Sequence, residues 1–398
     1  MQQYQLPEKT QHCIPNLIRE VSDRGATIPD FITLGAGMPS EEMLPCQALE
    51  KSAERLLHGD LQKLFQYGPA NGDEELKELT RKRLVEKKHF PTEHHSFIIL
   101  MGSSHGLGLA PRTLCNEGDE VFFEHFSFSC AIEAVASAGC RPVSVTMDEY
   151  GMIPEALEKA AQSGKGKYIY MNPNFHNPTG VTMPLERRKD IYAVAQRYGL
   201  LIYEDDPYGD IRFRGEDVPA FKSFDVDDRV IFAGSYSKTL TPGVRVGYLY
   251  GPEQYIHSML LVKNIMDGQI PLLNQLIVAD TLKSIDYEEH IQALCRDYEK
   301  RCDAMIDALT RYGSSKIQFT RPEGGMFLWV TLPDDVSILE FYEALFAHHV
   351  GAVRGDAFSA DPTQPGHSFR LNYTSGSLET VVEGAKRFAH VTKLFCGA

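Results

Sequence analysis

Between residues 96 and 250, short apolar runs rich in Val, Ile, Phe and Tyr alternate with stretches whose apolar residues recur at helical spacing. The runs predict strands over 97–101, 120–124, 141–146, 167–171, 200–203, 229–233 and 247–250. The intervening stretches predict helices over 131–138, 154–162 and 185–198. In the last of these Leu185, Ile191, Val194, Ala195 and Tyr198 fall near one face, and Glu186, Arg187, Arg188 and Lys189 make a charged opening turn. Strands alternating with helices imply crossover connections, hence an α/β fold with a mostly parallel seven-stranded sheet and helices on both faces. On such a sheet ligands sit at the carboxyl ends of the strands.

From about 252 the pattern turns helical and ends in a charged amphipathic stretch over 286–312. A strand over 326–332, a helix over 337–348, a strand over 368–373 and a closing helix over 378–392 follow, which reads as a smaller α+β domain. Pro7, Pro15, Pro29, Pro39 and Pro45 prevent a long helix in the first 50 residues except around 16–22. The expected division is an N-terminal arm and part of the small domain over 1–50, a large domain over 51–290 and the small domain over 291–398.

Composition narrows the partners. The 398 residues, 43% hydrophobic and 24% charged, have the material for a large core. A net charge of −14 argues against nucleic acid as the main partner, though it leaves room for a local basic pocket. The eight cysteines are scattered without a CxxC pair, so no zinc or dithiol motif is supported and no metal is expected. The polar start lacks the apolar segment of a signal peptide, and no run reaches the length of a membrane span, so a cytoplasmic protein away from the membrane is the expectation.

Four segments carry candidate chemistry. Residues 234–247 put Lys238 and Arg245 among Ser235, Ser237 and glycines after a strand, which suits an anion but reads equally as a solvated loop. Lys238 stands out, because an amine that becomes neutral is a nucleophile able to form an imine. Residues 203–208 supply Asp205 and Asp206 at a strand end, where an acidic loop is the alternative and a third metal ligand is lacking. Asn177-Pro178-Thr179-Gly180 alone is a turn. Gly102-Ser103-Ser104-His105 joins a strand to a helix whose N-terminus favours an anion. Pro111 and Leu107 break the dinucleotide and nucleoside-triphosphate patterns there.

In their order and spacing these segments resemble the fold-type I, pyridoxal-phosphate-dependent aminotransferases of the class I/II superfamily. The resemblance spans nearly the whole chain, from Gly35-Ala36-Gly37-Met38-Pro39 to Phe369-Arg370-Leu371-Asn372-Tyr373. It implies that Lys238 holds pyridoxal 5'-phosphate as an internal aldimine and that Asp205 pairs with the ring nitrogen. Tyr208 and Asn177 would hold the ring oxygen. Ser103, Ser104, Ser235, Ser237 and Arg245 would bind the phosphate, and Phe128 would stack on the ring. Arg370 would grip the substrate α-carboxylate as a planar fork, with Gly37 beside it. Tyr67 would reach the phosphate of a neighbouring subunit, which implies a homodimer with shared active sites. The implied reaction moves an amino group from an α-amino acid to a 2-oxo acid by ping-pong kinetics, with the freed Lys238 as the base.

The nearest branch is that of the 2-aminoadipate and kynurenine aminotransferases, in some members of which an arginine at the place of Arg19 meets a distal carboxylate; in that role Arg19 would make glutamate or 2-aminoadipate substrates and 2-oxoglutarate an acceptor. Ser103-Ser104-His105 replaces the branch's Ser-Gln-Gln, and His176 replaces a glutamine. Both histidines read as neighbours of the site, and His94-His95 and His348-His349 as surface pairs without a metal frame. The alternatives are a lyase or cyclopropane-forming synthase of the same fold, and a regulatory or non-catalytic cofactor-binding protein.

Overall fold

The computed structural model describes residues 17–361 and 366–397. Cys13, Pro7, Pro15 and the first residue of the 16–22 helix lie outside them. Within them that helix is α1 (Leu17–Gly25).

The central sheet is built from β1 (His95–Leu100), β2 (Glu120–Glu124), β3 (Arg141–Val145), β4 (Gly166–Met171), β5 (Leu201–Asp205), β6 (Val230–Ser235) and β7 (Gly247–Pro252). Their order is β1-β7-β6-β5-β4-β2-β3. All neighbours are parallel except β7, which runs antiparallel to both β1 and β6. Apart from the edge strand β3 the strands are mostly buried, as expected of a sheet covered on both faces. Layers of apolar side chains on the two faces include Ile98, Leu100, Val121 and Ile231 on one and Phe122, Ile169, Ile202 and Val230 on the other.

The structure extends β5 by two residues beyond the apolar run. Glu204 and Asp205 belong to the strand, in register with Phe232 and Ala233. Glu204 survives burial because its two oxygens accept the N–H groups of Phe221 and Lys222, each at 2.9 Å. The charged opening of the 185–198 helix also hides a core residue. Arg188 is buried and donates to the carbonyls of Met183 and Pro219 and to Asn174 Oδ1.

The C-terminal part carries a second, antiparallel sheet in the order β8 (Gln318–Phe319), β9 (Phe327–Thr331), β11 (Ser368–Asn372), β10 (Val353–Arg354). The long helix Tyr287–Tyr312 and the closing helix Leu378–Cys396 pack with it in one apolar core, which also takes in Val21 and Leu34 from the N-terminal segment. Ile32–Thr33 runs parallel to Val350–Gly351, so the arm is joined to this part by backbone pairing. No helix among the described residues is long and apolar enough to cross a membrane.

Candidate active site

The carboxyl ends of β1, β4, β5 and β6 and the start of the antiparallel β7 meet at one edge of the large sheet, where the chain leaves each strand carrying a polar residue. There a cavity of about 270 Å³ is lined by Gly37, Ser103, Ser104, Phe128, Asn177, Asp205, Tyr208, Ser235, Ser237, Lys238, Arg245 and Arg370. These are all of the residues expected at the site except Tyr67 and Arg19. Tyr67 is 88% exposed and is not among the residues lining the cavity. The Arg19 side chain is 80% exposed and lies 3.6 Å from Asp23, while its neighbour Ile18 lines the cavity.

The floor is an anion cup. Gly102, at φ 73°, caps the helix α2 (Ser103–Leu114), whose first N–H groups open toward the cavity. Arg245 Nη2 donates to the Met101 carbonyl at 3.3 Å and Nη1 to Ser237 Oγ at 3.4 Å, which brings a cation to the helix start. Gly247 permits this approach, since a Cβ there would lie 2.7 Å from the Ser103 nitrogen.

Lys238 is half-buried, and its Nζ donates to the Gly37 carbonyl at 2.6 Å. Burial, followed by the charges of Arg370 and Arg245, pulls its ammonium down to about 8, so a minor neutral fraction becomes accessible near neutrality. Asp205 is pushed the other way, up to about 7, by burial; the Tyr170 phenol opposes this and the Asp206 carboxylate adds to it. Asp205 Oδ1 has no hydrogen-bond partner. Burial also raises the Tyr208 phenol, against the pull of Arg370, so it remains a donor.

Arg370 lies between the rings of Phe327 and Phe358, 4.2 and 4.7 Å from their centroids. Its Nη1 donates to Asn177 Oδ1 at 2.8 Å and its Nη2 to the Gly35 carbonyl at 2.6 Å, while Nε has no partner. Asn177 Nδ2 in turn reaches Tyr208 Oη at 3.5 Å.

The site can therefore hold a phosphate on α2, oppose a ring nitrogen with an orphaned buried carboxylate, attach an aldehyde to a lysine and receive a carboxylate on a buried guanidinium. The family profile of class I and II aminotransferases matches residues 29–388. The chain belongs to the class I and II aminotransferases. It is 31% identical to aromatic-amino-acid aminotransferase 1 of Thermococcus litoralis over 369 residues, 92% of this chain and 88% of that protein. It superposes with a TM-score of 0.92 on the kynurenine aminotransferase of Pyrococcus horikoshii, solved with PMP, at 31% identity and covering 98% and 97% of the two chains. With the α-aminoadipate aminotransferase of Thermus thermophilus, solved with N-(5'-phosphopyridoxyl)-L-leucine, the TM-score is 0.88 at 28% identity over 98% and 97%. The protein is thus an amino-group transferase of fold-type I whose cofactor is pyridoxal phosphate. The donor set fits that group: a cup of N–H and Arg245 for its phosphate, the unpartnered Asp205 Oδ1 for its ring nitrogen, and a depressed lysine for its aldehyde.

Sequence reasoning missed Tyr170 and Asn172, which also line the aminotransferase's cavity. Their signal was alternation: they stand two apart at the end of an apolar strand, just before Pro173. His105 sits on α2 with Nδ1 3.8 Å from Asp267, outside the cavity. His176 is buried behind Asn177, with Nδ1 2.8 Å from Thr179 Oγ1 and Nε2 3.1 Å from Glu124 Oε2.

His95 is not a surface residue: its side chain is 2% exposed and packs on Tyr250. Tertiary folding brings Asp225 and Asp228 to it, the one trio among the described residues with ligand atoms near enough for a metal. Asp225 is already engaged by Lys222 at 2.7 Å, Tyr192 at 2.9 Å and the N–H groups of Arg229 and Val230 at 3.0 Å, so the ammonium takes the place of a metal there.

Proposed function

We propose that the enzyme moves the amino group of an α-amino acid to a 2-oxo acid by a ping-pong route, with glutamate and 2-oxoglutarate as one pair, in a homodimer with shared sites. The observation that carries this reading is Arg370, a buried cation held by a side-chain amide and a carbonyl, with no carboxylate partner among the described residues. Such a charge is costly to bury unless an anion joins it, and a substrate α-carboxylate supplies one in the same cavity as Lys238.

When bound, pyridoxal phosphate supplies an aldehyde for the amino group and an electron-withdrawing ring that accepts the charge developed at Cα. Ser103, Ser104, Ser235, Ser237 and Arg245 would hold its phosphate, and Phe128 one face of its ring. Asp205 would keep a proton on the ring nitrogen, and Tyr208 with Asn177 would donate to the ring oxygen. Arg370 would bind the substrate α-carboxylate and so place its Cα within the cavity that Lys238 also lines. The neutral amine of Lys238 takes the Cα proton and returns it on the other side of the transfer.

The shared site is in keeping with the exposure of Tyr67 and of the apolar side chains Phe65 at 68%, Ile265 at 87% and Met266 at 50%, which a second copy would cover. The α-aminoadipate and kynurenine relatives suggest 2-aminoadipate and kynurenine as donors, and the Thermococcus relative suggests aromatic amino acids. The test is a panel of these donors and glutamate against several 2-oxo acids, followed by the cofactor's absorbance. Intersecting rather than parallel lines in the initial-rate plots, or release of product without an acceptor, would count against the reading.

A further inference from the structure

Tyr170, near the end of β4, and Asn172, the residue just past that strand, both reach Asp205 at the end of the neighbouring β5. Tyr170 Oη donates to Asp205 Oδ2 at 2.8 Å. Asn172 Nδ2 donates to the Asp205 main-chain carbonyl at 2.6 Å, and Asn172 Oδ1 accepts the Asn177 N–H at 2.7 Å. All four residues are buried and line the cavity.

We propose that Tyr170 and Asn172 are positioning residues that clamp the site: the phenol keeps Asp205 ionised for the cofactor's ring nitrogen, and the amide couples Asp205 to Asn177 and through it to Arg370. The inference rests on the reading of Asp205 as the ring-nitrogen partner. A buried carboxylate beside a second one resists ionisation, and Asp205 has Asp206 next to it in the chain. The other titratable groups acting with it are the phenols of Tyr170, Tyr203 and Tyr208, raised by burial and so neutral. Of these only Tyr170 donates to the carboxylate, leaving Oδ1 open toward the cavity. Asn172 acts on geometry instead of charge. Its single amide spans the two backbones that present Asp205 and Asn177, so neither can shift without the other.

The sign of the pH effect follows. Asp205 in the free protein takes up a proton as pH falls through about 7, and that proton must leave when a protonated ring nitrogen binds. Affinity for the cofactor therefore declines on the acid side. Tyr170→Phe removes the donor that opposes protonation, which moves this decline to higher pH by about one unit, equivalent to about tenfold weaker binding on the limb. The ring itself is retained in its packing against Phe123 and Tyr203, so folding is conserved.

The experiment dialyses holoenzyme to equilibrium at a series of pH values on either side of about 7 for the wild type, Tyr170→Phe, Asn172→Ala and Asp205→Asn. Asp205→Asn is expected to bind weakly throughout; wild-type affinity in that variant would sink the reading of Asp205 itself. With Asp205→Asn weakened, a Tyr170→Phe limb that overlies the wild type overturns the clamp. Asn172→Ala is expected to leave the limb in place and to raise KM for the amino donor about tenfold through Asn177 and Arg370. An unchanged KM removes the coupling role.

Discussion

At the scale of single residues, Lys238 and Arg370 are coupled by charge as well as by chemistry. After burial, the Arg370 guanidinium is the main charge holding the Lys238 ammonium down. The rate of cofactor attachment to the free protein should thus rise with pH through about 8, as the neutral amine becomes available. In Arg370→Gln that rise should move to higher pH, because the lysine keeps its proton longer. In Arg370→Lys it should stay near the wild-type position. Both variants should raise KM for the amino donor, by about 10-fold to 100-fold, since neither presents a planar fork. Stopped-flow attachment rates and steady-state KM values check the two halves separately. Lys238→Ala should lose both turnover and the visible absorbance of the attached cofactor, and retained transamination would refute its role. Lys238, Arg370, Asp205, Tyr208 and Asn177 were legible in the sequence because each stands in a motif with a fixed order. Tyr170 and Asn172 were not, because a tyrosine and an asparagine inside an apolar run have no chemistry until β5 lies beside them.

At the scale of elements, the site depends on strand ends and on how closely α2 approaches β7. Gly247→Ala would thrust a methyl to 2.7 Å from the Ser103 nitrogen, and backbone at both positions cannot step aside cheaply. The variant should lose cofactor affinity and about 1–3 kcal/mol of stability, which a cofactor titration and a denaturant melt would register. Here periodicity served well where it was uninterrupted: Glu120–Glu124 and Leu185–Tyr198 match their sequence-based bounds. It failed where burial was polar. Glu204 and Asp205 look like the start of a loop until the N–H groups of Phe221 and Lys222 and the register with β6 account for them. Arg188 looks like part of a solvated turn until backbone carbonyls and Asn174 Oδ1 close around it.

At the scale of the whole molecule, a dimer with shared sites has a distinctive test. Lys238→Ala and Tyr67→Ala chains are each expected to be impaired, yet mixing them after dissociation should restore activity. A hybrid places the intact Lys238 of one chain opposite the intact Tyr67 of the other. Mixtures that stay inactive, alongside a monomer by sedimentation, would remove the shared site. The amino-acid sequence by itself determined the alternation that builds a parallel sheet, the order of the cofactor motifs and the scarcity of metal-ligand patterns, because these are local properties written at short spacing. Only the tertiary structure decided which polar residues are buried, that Ile18 and not Arg19 lines the cavity, that His95 is interior, and that Tyr170 of β4 and Asn172 just after it hold the aspartate of β5. Those outcomes depend on desolvation and on contacts between residues distant in the chain. Neither has a period that a linear pattern can display.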